Sequence, residues 1–154
     1  MEPISLVTNP DWTHSPHAVL VFPVLWKRFI WVFHPLRGWE VPGGKIETNE
    51  SPADAARRET WEEAGLRCGR MEWLGEYPIH TEETSVLYKW VYIAQVIDVT
   101  ERPPYSEISD VKRFPEHLTP TEARKRNDVS FIMQDFVYES AWPILLHHPI
   151  FISS

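Results

Sequence analysis

The chain has 154 residues, 43% of them hydrophobic, and a formal net charge of -7. That length suits a single domain over residues 1–154 with a core of its own, and the charge argues against broad adhesion to nucleic-acid backbone or anionic membrane. A small phosphate substrate is not excluded, because a bound metal reverses the local sign, and the single cysteine, Cys68, rules out an internal disulfide and fits a reducing compartment.

Residues 1–16 have no basic stretch ahead of an apolar run, so they do not read as a secretory signal. An irregular arm is expected there. His17 to Leu25 reads as a strand buried on both faces. The longest apolar run, Ala18 to Trp26, is interrupted by Pro23 and is too short to span a bilayer as a helix. A soluble, cytoplasmic protein is the expectation. Phe29 to Phe33 reads as a second strand, with a turn at Lys27 and Arg28. Pro35 to Gly44 reads as a loop ending in Pro42-Gly43-Gly44.

A helix over residues 52–64 is the clearest local signal. Ser51 caps it, Pro52 suits its first position, Asp54 favours its first turn, and Gly65 closes it. Glu72 to Ile79 reads as a strand. Val86 to Ile97 alternates well, with Val86, Tyr88, Trp90, Tyr92, Ala94 and Val96 on one face. Val111 to Phe114 is a short strand candidate. Thr119-Pro120-Thr121-Glu122 is a capping box that opens a short helix. Ser130 to Leu146 reads as an amphipathic helix bent or ended near Pro143. Strands mixed with a few helices point to an α/β (α+β) layered fold.

The chemistry concentrates in Gly44 to Leu66. Glu59, Glu62 and Glu63 stand at helical spacings of three and four, which puts their carboxylates on one face. Such pairs repel by roughly 0.2–0.5 kcal/mol each in an isolated helix. A hard divalent cation relieves this, since Mg²⁺ takes carboxylate oxygens and shares its other positions with substrate phosphates. Gly43 and Gly44 allow close approach of the backbone to metal or phosphate. Folding the 43–50 loop over the helix would bring a glycine carbonyl to the carboxylates. Glu50 suits an anchor for that loop, and Arg58 suits a bidentate hold on a carboxylate.

This pattern resembles the Nudix box. Its fixed positions appear here as Gly44, Glu50, Arg58-Glu59, Glu62-Glu63 and Gly65, followed by apolar Leu66; the departure is Thr60, where an aliphatic residue is usual. The approach Arg37-Gly38-Trp39-Glu40-Val41-Pro42-Gly43-Gly44 is similar to that of MutT-like members. The box surroundings and Phe131-Ile132-Met133-Gln134-Asp135 also resemble the YtkD-type nucleoside triphosphatases of Gram-positive bacteria.

The resemblance implies a Nudix fold, a mixed β-sheet sandwiched between helices. It implies Mg²⁺ or Mn²⁺ on Glu59, Glu62, Glu63 and the Gly44 carbonyl. The base would be Glu59 or a later glutamate. Glu107, just ahead of a short strand, suits that second place, with an ordinary loop glutamate as the competing reading. Arg37 and Gly43 are candidate substrate contacts; for Arg37 a plain turn residue competes. Trp39, Phe33, Tyr88 and Trp90 read as core rather than as base-stacking residues.

The leading function is a nucleoside triphosphate pyrophosphohydrolase, with oxidised purine dNTPs such as 8-oxo-dGTP as candidates. Alternatives are removal of pyrophosphate from 5′-triphosphorylated RNA and cleavage of ADP-ribose or another nucleoside diphosphate sugar. With 15 basic against 22 acidic residues and no dense basic run, extended nucleic-acid contact is not expected. A nucleotide-sensing module without catalysis would be signalled by loss of a box carboxylate, and none is lost.

Overall fold

The computed structural model describes residues 6–83, 85–113 and 118–154. Among the described residues, seven strands form one mixed sheet: β1 (Ala18–Leu25), β2 (Arg28–His34), β3 (Gly38–Glu40), β4 (Gly43–Lys45), β5 (Leu66–His80), β6 (Val86–Val99) and β7 (Asp110–Arg113). The strand order is β3-β2-β1-β6-β5, with β4 on β1 and β7 on β2. Strand β1 runs parallel to β6 from Ala18↔Lys89 to Val24↔Gln95. The expected sandwich is present. Helix α1 (Pro52–Ala64) packs Ala55 and Ala56 on one face, against Val19, Val21, Tyr92 and Ala94. On the other face α2 (Pro120–Lys125), α3 (Phe131–Gln134), α4 (Phe136–His147) and α5 (Pro149–Ile152) cover Phe22, Trp31, Val91 and Ile93.

The β1–β2 turn falls on Trp26 and Lys27, both at positive φ (50° and 58°), while Arg28 already belongs to β2. Two positive-φ residues match the right-handed twist of the flanking strands. Beyond this turn β1 and β2 diverge. β1 keeps β2 only at Val24 and Leu25, and takes β4 at Ala18, Val19 and Leu20. Pro23 therefore does not interrupt the strand. Val21 donates its N–H to Pro42, so the missing N–H of Pro23, two residues on and on the same side, faces the gap where β2 and β4 part.

Several expectations change in extent. Residues 35–44 are not all loop, because Gly38–Glu40 pairs with β2 and Gly43 and Gly44 pair with β1. β5 starts at Leu66, not Glu72, and three register shifts let it follow β6 despite Gly69 and Gly75. β7 begins at Asp110; Phe114 lies outside the described residues. Of the arm, the described part bridges Val7 to Glu76 and makes a 3₁₀ turn at Pro10–Trp12.

The C-terminal helix does not end at Pro143. It breaks at Asp135, whose side chain accepts from the Val137 N–H and caps a new helix, and α4 then runs through Pro143 to His147. The capping of α1 is as read: Ser51 accepts from the Asp54 N–H, and Gly65 takes φ 69°. Thr119 likewise accepts from the Glu122 N–H to start α2.

Candidate active site

Arg58 binds the 43–50 loop to α1. Its Nε and Nη2 reach the two Glu50 oxygens at 2.8 and 3.0 Å, and Nη2 also donates to the Lys45 carbonyl at 3.0 Å. Its Nη1 donates to Glu59 at 2.9 Å and to Glu62 at 3.3 Å. Glu50 accepts the Glu47 N–H as well. The Arg58 bond holds the Glu50 carboxyl below its usual pKa, and the same bond raises Arg58. One guanidinium thus joins the loop carboxylate Glu50 to the helix carboxylates Glu59 and Glu62.

β4 lies directly against the carboxylates. The Gly43 N–H donates to Glu63 Oε1 at 2.9 Å. A Cβ on Gly44 would stand 2.4 Å from Glu59 Oε1. Glu59, Glu62, Glu63, Tyr105, Ser106 and Glu107 line one cavity of about 260 Å³. Glu107, distant in sequence, therefore faces the same space as the helical carboxylates. Burial pushes the Glu63 carboxyl up to about 8 despite the Gly43 bond and the Arg37 charge, with Glu59 and Glu40 adding to the rise. Burial also raises Glu59, against the pull of Arg58.

Beyond β4 lies a second cavity, about 580 Å³, which Gly43, Gly44 and Arg37 line together with apolar Leu20, Val41 and Ile132. Arg37 is held by Glu40, with Nη2–Oε1 at 2.7 Å and Nε–Oε2 at 3.1 Å, and that bond raises its pKa. A larger cavity of about 770 Å³, walled by Leu66, Val99, Pro103 and Ile108, contains none of the predicted site residues.

A family model for the NUDIX domain matches residues 16–135. The chain belongs to the NUDIX family. It is 32% identical over 129 residues to YtkD of Bacillus subtilis (strain 168), a protein named as an 8-oxo-dGTP diphosphatase, covering 84% of this chain and 80% of that one. It is similar to the solved structure of the Bacillus subtilis pyrophosphohydrolase BsRppH, with a TM-score of 0.79 and 30% identity over 92% of this chain and 85% of that one. An RNA pyrophosphohydrolase of Cereibacter sphaeroides (strain ATCC 17029 / ATH 2.4.9) is 41% identical over 44 residues, 29% of this chain and 27% of that one. The protein is a Nudix hydrolase acting on phosphorus-containing anhydrides.

Nudix enzymes use divalent metal ions, and the residues here fit one. The donors are carboxylate oxygens, which suit a hard cation. Two of the Nudix-helix carboxyls are raised by burial, which a bound cation would offset. Among the described residues no three such side chains already converge as a cage; Glu59 and Glu62 are turned to Arg58, and Glu63 to Gly43. Thr60, the departure from the Nudix box, is fully buried and bonds back to the Ala56 carbonyl, so it packs where an aliphatic residue would.

The sequence reading missed several residues around the Nudix helix. Tyr105 reaches Glu62 at 3.5 Å and Ser106 lines the carboxylate cavity. Glu40, buried under Arg37, was quoted only as part of the approach to the box. Lys89 lines the second cavity; a lone lysine between Leu87 and Val91 was the available signal. Of the aromatics read as core, Phe33 packs edge-on against Trp39. Trp90 donates to buried Glu76, and Tyr88 stacks on His14 with centroids 3.8 Å apart.

Proposed function

We propose that this Nudix hydrolase is a pyrophosphohydrolase of purine nucleoside triphosphates, oxidised forms such as 8-oxo-dGTP included, which releases a nucleoside monophosphate and pyrophosphate. The observation that carries this reading is the pair of cavities on either side of the Gly43–Gly44 strand. One is lined by Glu59, Glu62, Glu63 and Glu107 and suits a metal-bound diphosphate; the other has room for a nucleoside. The likeness to YtkD supports the choice of substrate.

Glu59, Glu62, Glu63 and the Gly44 carbonyl would hold Mg²⁺ or Mn²⁺. When bound, the ion neutralises phosphate charge and lowers the pKa of an attacking water. Glu59 takes the proton from that water as it adds to an inner phosphorus, and pyrophosphate leaves. Glu107 is the second candidate for the base. Arg58 holds Glu59 and Glu62 in place, and its bonds to Glu50 keep the loop closed over the helix. Arg37, fixed by Glu40, keeps Nη1 for a phosphate oxygen, and Gly43 lets the substrate lie close to the backbone. Catalysis of this kind rests mainly on positioning and electrostatic stabilisation.

The proposed setting is the cytoplasm, with a small nucleotide as partner; no helix among the described residues is long and apolar enough to cross a membrane. A second reading, removal of pyrophosphate from 5′-triphosphorylated RNA, is favoured by the likeness of 44 residues to the RNA pyrophosphohydrolase of Cereibacter sphaeroides. Purified protein with Mg²⁺ should be offered dNTPs, 8-oxo-dGTP, ADP-ribose and triphosphorylated RNA, and the products separated. The proposal expects pyrophosphate and a monophosphate from the triphosphates. Orthophosphate as the sole first product, or turnover of ADP-ribose alone, would reject it.

A further inference from the structure

Lys89 has no part in that chemistry, yet it stands in the second cavity. In β6 it shares a face with Leu87 and Val91, the face that α3 to α5 cover, and it is paired across the sheet with Tyr77. Its Nζ lies 5.8 Å from the centroid of the Tyr77 ring. Among the described residues no carboxylate approaches it within ion-pair distance. Burial lowers its pKa, while the charges of Asp135 and Glu40 pull it up and Arg37 pulls it down. An enclosed cation that meets a ring face but no anionic partner destabilises the free protein. A ligand oxygen could supply the missing partner.

The sheet register says which part of a nucleotide that would be. Lys89 pairs with Ala18 across β6 and β1, and Ala18 pairs with Lys45 across β1 and β4. Lys89 is therefore two strand spacings from the β4 strand, about 10 Å. The diphosphate belongs beside β4, where Gly43 and Gly44 touch Glu63 and Glu59. The far end of the cavity is then left for the base, between apolar Ile79, Leu87 and Ile132.

We propose that Lys89 is a specificity-determining residue that donates a hydrogen bond to the carbonyl oxygen at purine C6 or pyrimidine C4 and selects bases with a keto group there over bases with an amino group there. The inference rests on the reading of the chain as a nucleoside triphosphate pyrophosphohydrolase. An ammonium group has three donors and no acceptor. The carbonyl of guanine, hypoxanthine or uracil satisfies it. The exocyclic amino group of adenine or cytosine sets donor against donor and leaves the ammonium desolvated. Discrimination of this kind exceeds what an apolar pocket achieves by shape.

The test compares wild type, Lys89→Met and Lys89→Gln on dGTP, dITP and dATP at saturating Mg²⁺. Calorimetric titration of non-hydrolysable dGTP and dATP analogues measures binding separately. Wild type should prefer dGTP and dITP to dATP. Lys89→Met should lower the dGTP/dATP ratio of kcat/KM about 10- to 100-fold, the range expected for a hydrogen bond to a charged group. That ratio does not depend on the fraction of protein that is folded. Lys89→Gln, whose amide both donates and accepts, should recover dATP binding. An unchanged ratio, or an equal loss on all three substrates as for a phosphate contact, overturns the inference. Wild type that cleaves all three nucleotides without preference also overturns it. Failure of wild type to hydrolyse any nucleoside triphosphate rejects the underlying function itself.

Discussion

Gly43 and Gly44 are neighbours in one short strand, and alanine at each should fail in a different way. Neither has a positive φ, so only the space for a Cβ decides the outcome. At Gly44 the added carbon would meet the Glu59 carboxylate, at 2.4 Å from Oε1 and 2.8 Å from Oε2. Ordinary contact begins near 3.4 Å, so the carboxylate must retreat by about 1 Å. That group is the free end of a flexible side chain and moves at small cost to the fold. A misplacement of about 1 Å at the reacting centre is enough to lower activity about 10²-fold. At Gly43 the carbon would meet the Val19 backbone oxygen at 2.4 Å, with Leu20 at 3.3 Å. Both belong to β1, and a paired strand cannot swing aside. Overpacking of this kind costs about 1–3 kcal/mol, or roughly 2–12 °C of melting temperature for a chain of this size. Gly44→Ala should therefore melt close to wild type while losing about 10²-fold in kcat/KM. Gly43→Ala should melt visibly lower. Thermal melts with steady-state rates at saturating Mg²⁺ measure both. Wild-type kcat/KM in Gly44→Ala, or a melting loss equal to that of Gly43→Ala, would refute the reasoning.

The identity of the base is settled by two variants. Glu59→Gln should lower kcat by about 10²–10⁴-fold, and Glu107→Gln by less than tenfold; the reverse order would make Glu107 the base. Without metal, burial pushes the Glu63 carboxyl up to about 8, from an ordinary value near 4.5. Between those values the folded state binds more protons than the unfolded state, so stability should fall as pH rises from 4.5 to 8 and then level off. Urea unfolding in chelator across that window should show this slope, and Glu63→Gln should remove it. A wild-type profile that is flat there, or that rises with pH, would count against a buried Glu63 carboxyl. Saturating Mg²⁺ should cancel the slope, because the ion favours the ionised form.

Much of the candidate site was legible because its signals are local. Ser51, Pro52 and Gly65 delimit α1 through bonds within a few residues. Helical spacing alone puts Glu59, Glu62 and Glu63 on one face, and Arg58 stands one residue from the first of them. The strand alternation from Val86 was legible for the same reason. The start of β5 was not, because Leu66 to Met71 contains Gly69 and owes its extended form to pairing with β6. Nor was the break at Asp135. Pro143 carries the stronger sequence signal, but the Asp135 side chain satisfies the first N–H groups of a new helix and so fixes the boundary.

The sequence by itself determined the box helix, its caps, its acidic face and the likeness to the Nudix box. Tertiary structure decided what that face meets. The divergence of β1 and β2 lets Gly43 and Gly44 pair with β1 and reach Glu63 and Glu59. The loop before β7 brings Glu107 to the same cavity as Glu59, Glu62 and Glu63, and the parallel register of β1 with β6 sets Lys89 in the second cavity. Periodicity specifies which residues share one face of an element. It carries no information on which strand edge that face will lie against, because this depends on pairings between residues far apart in the chain.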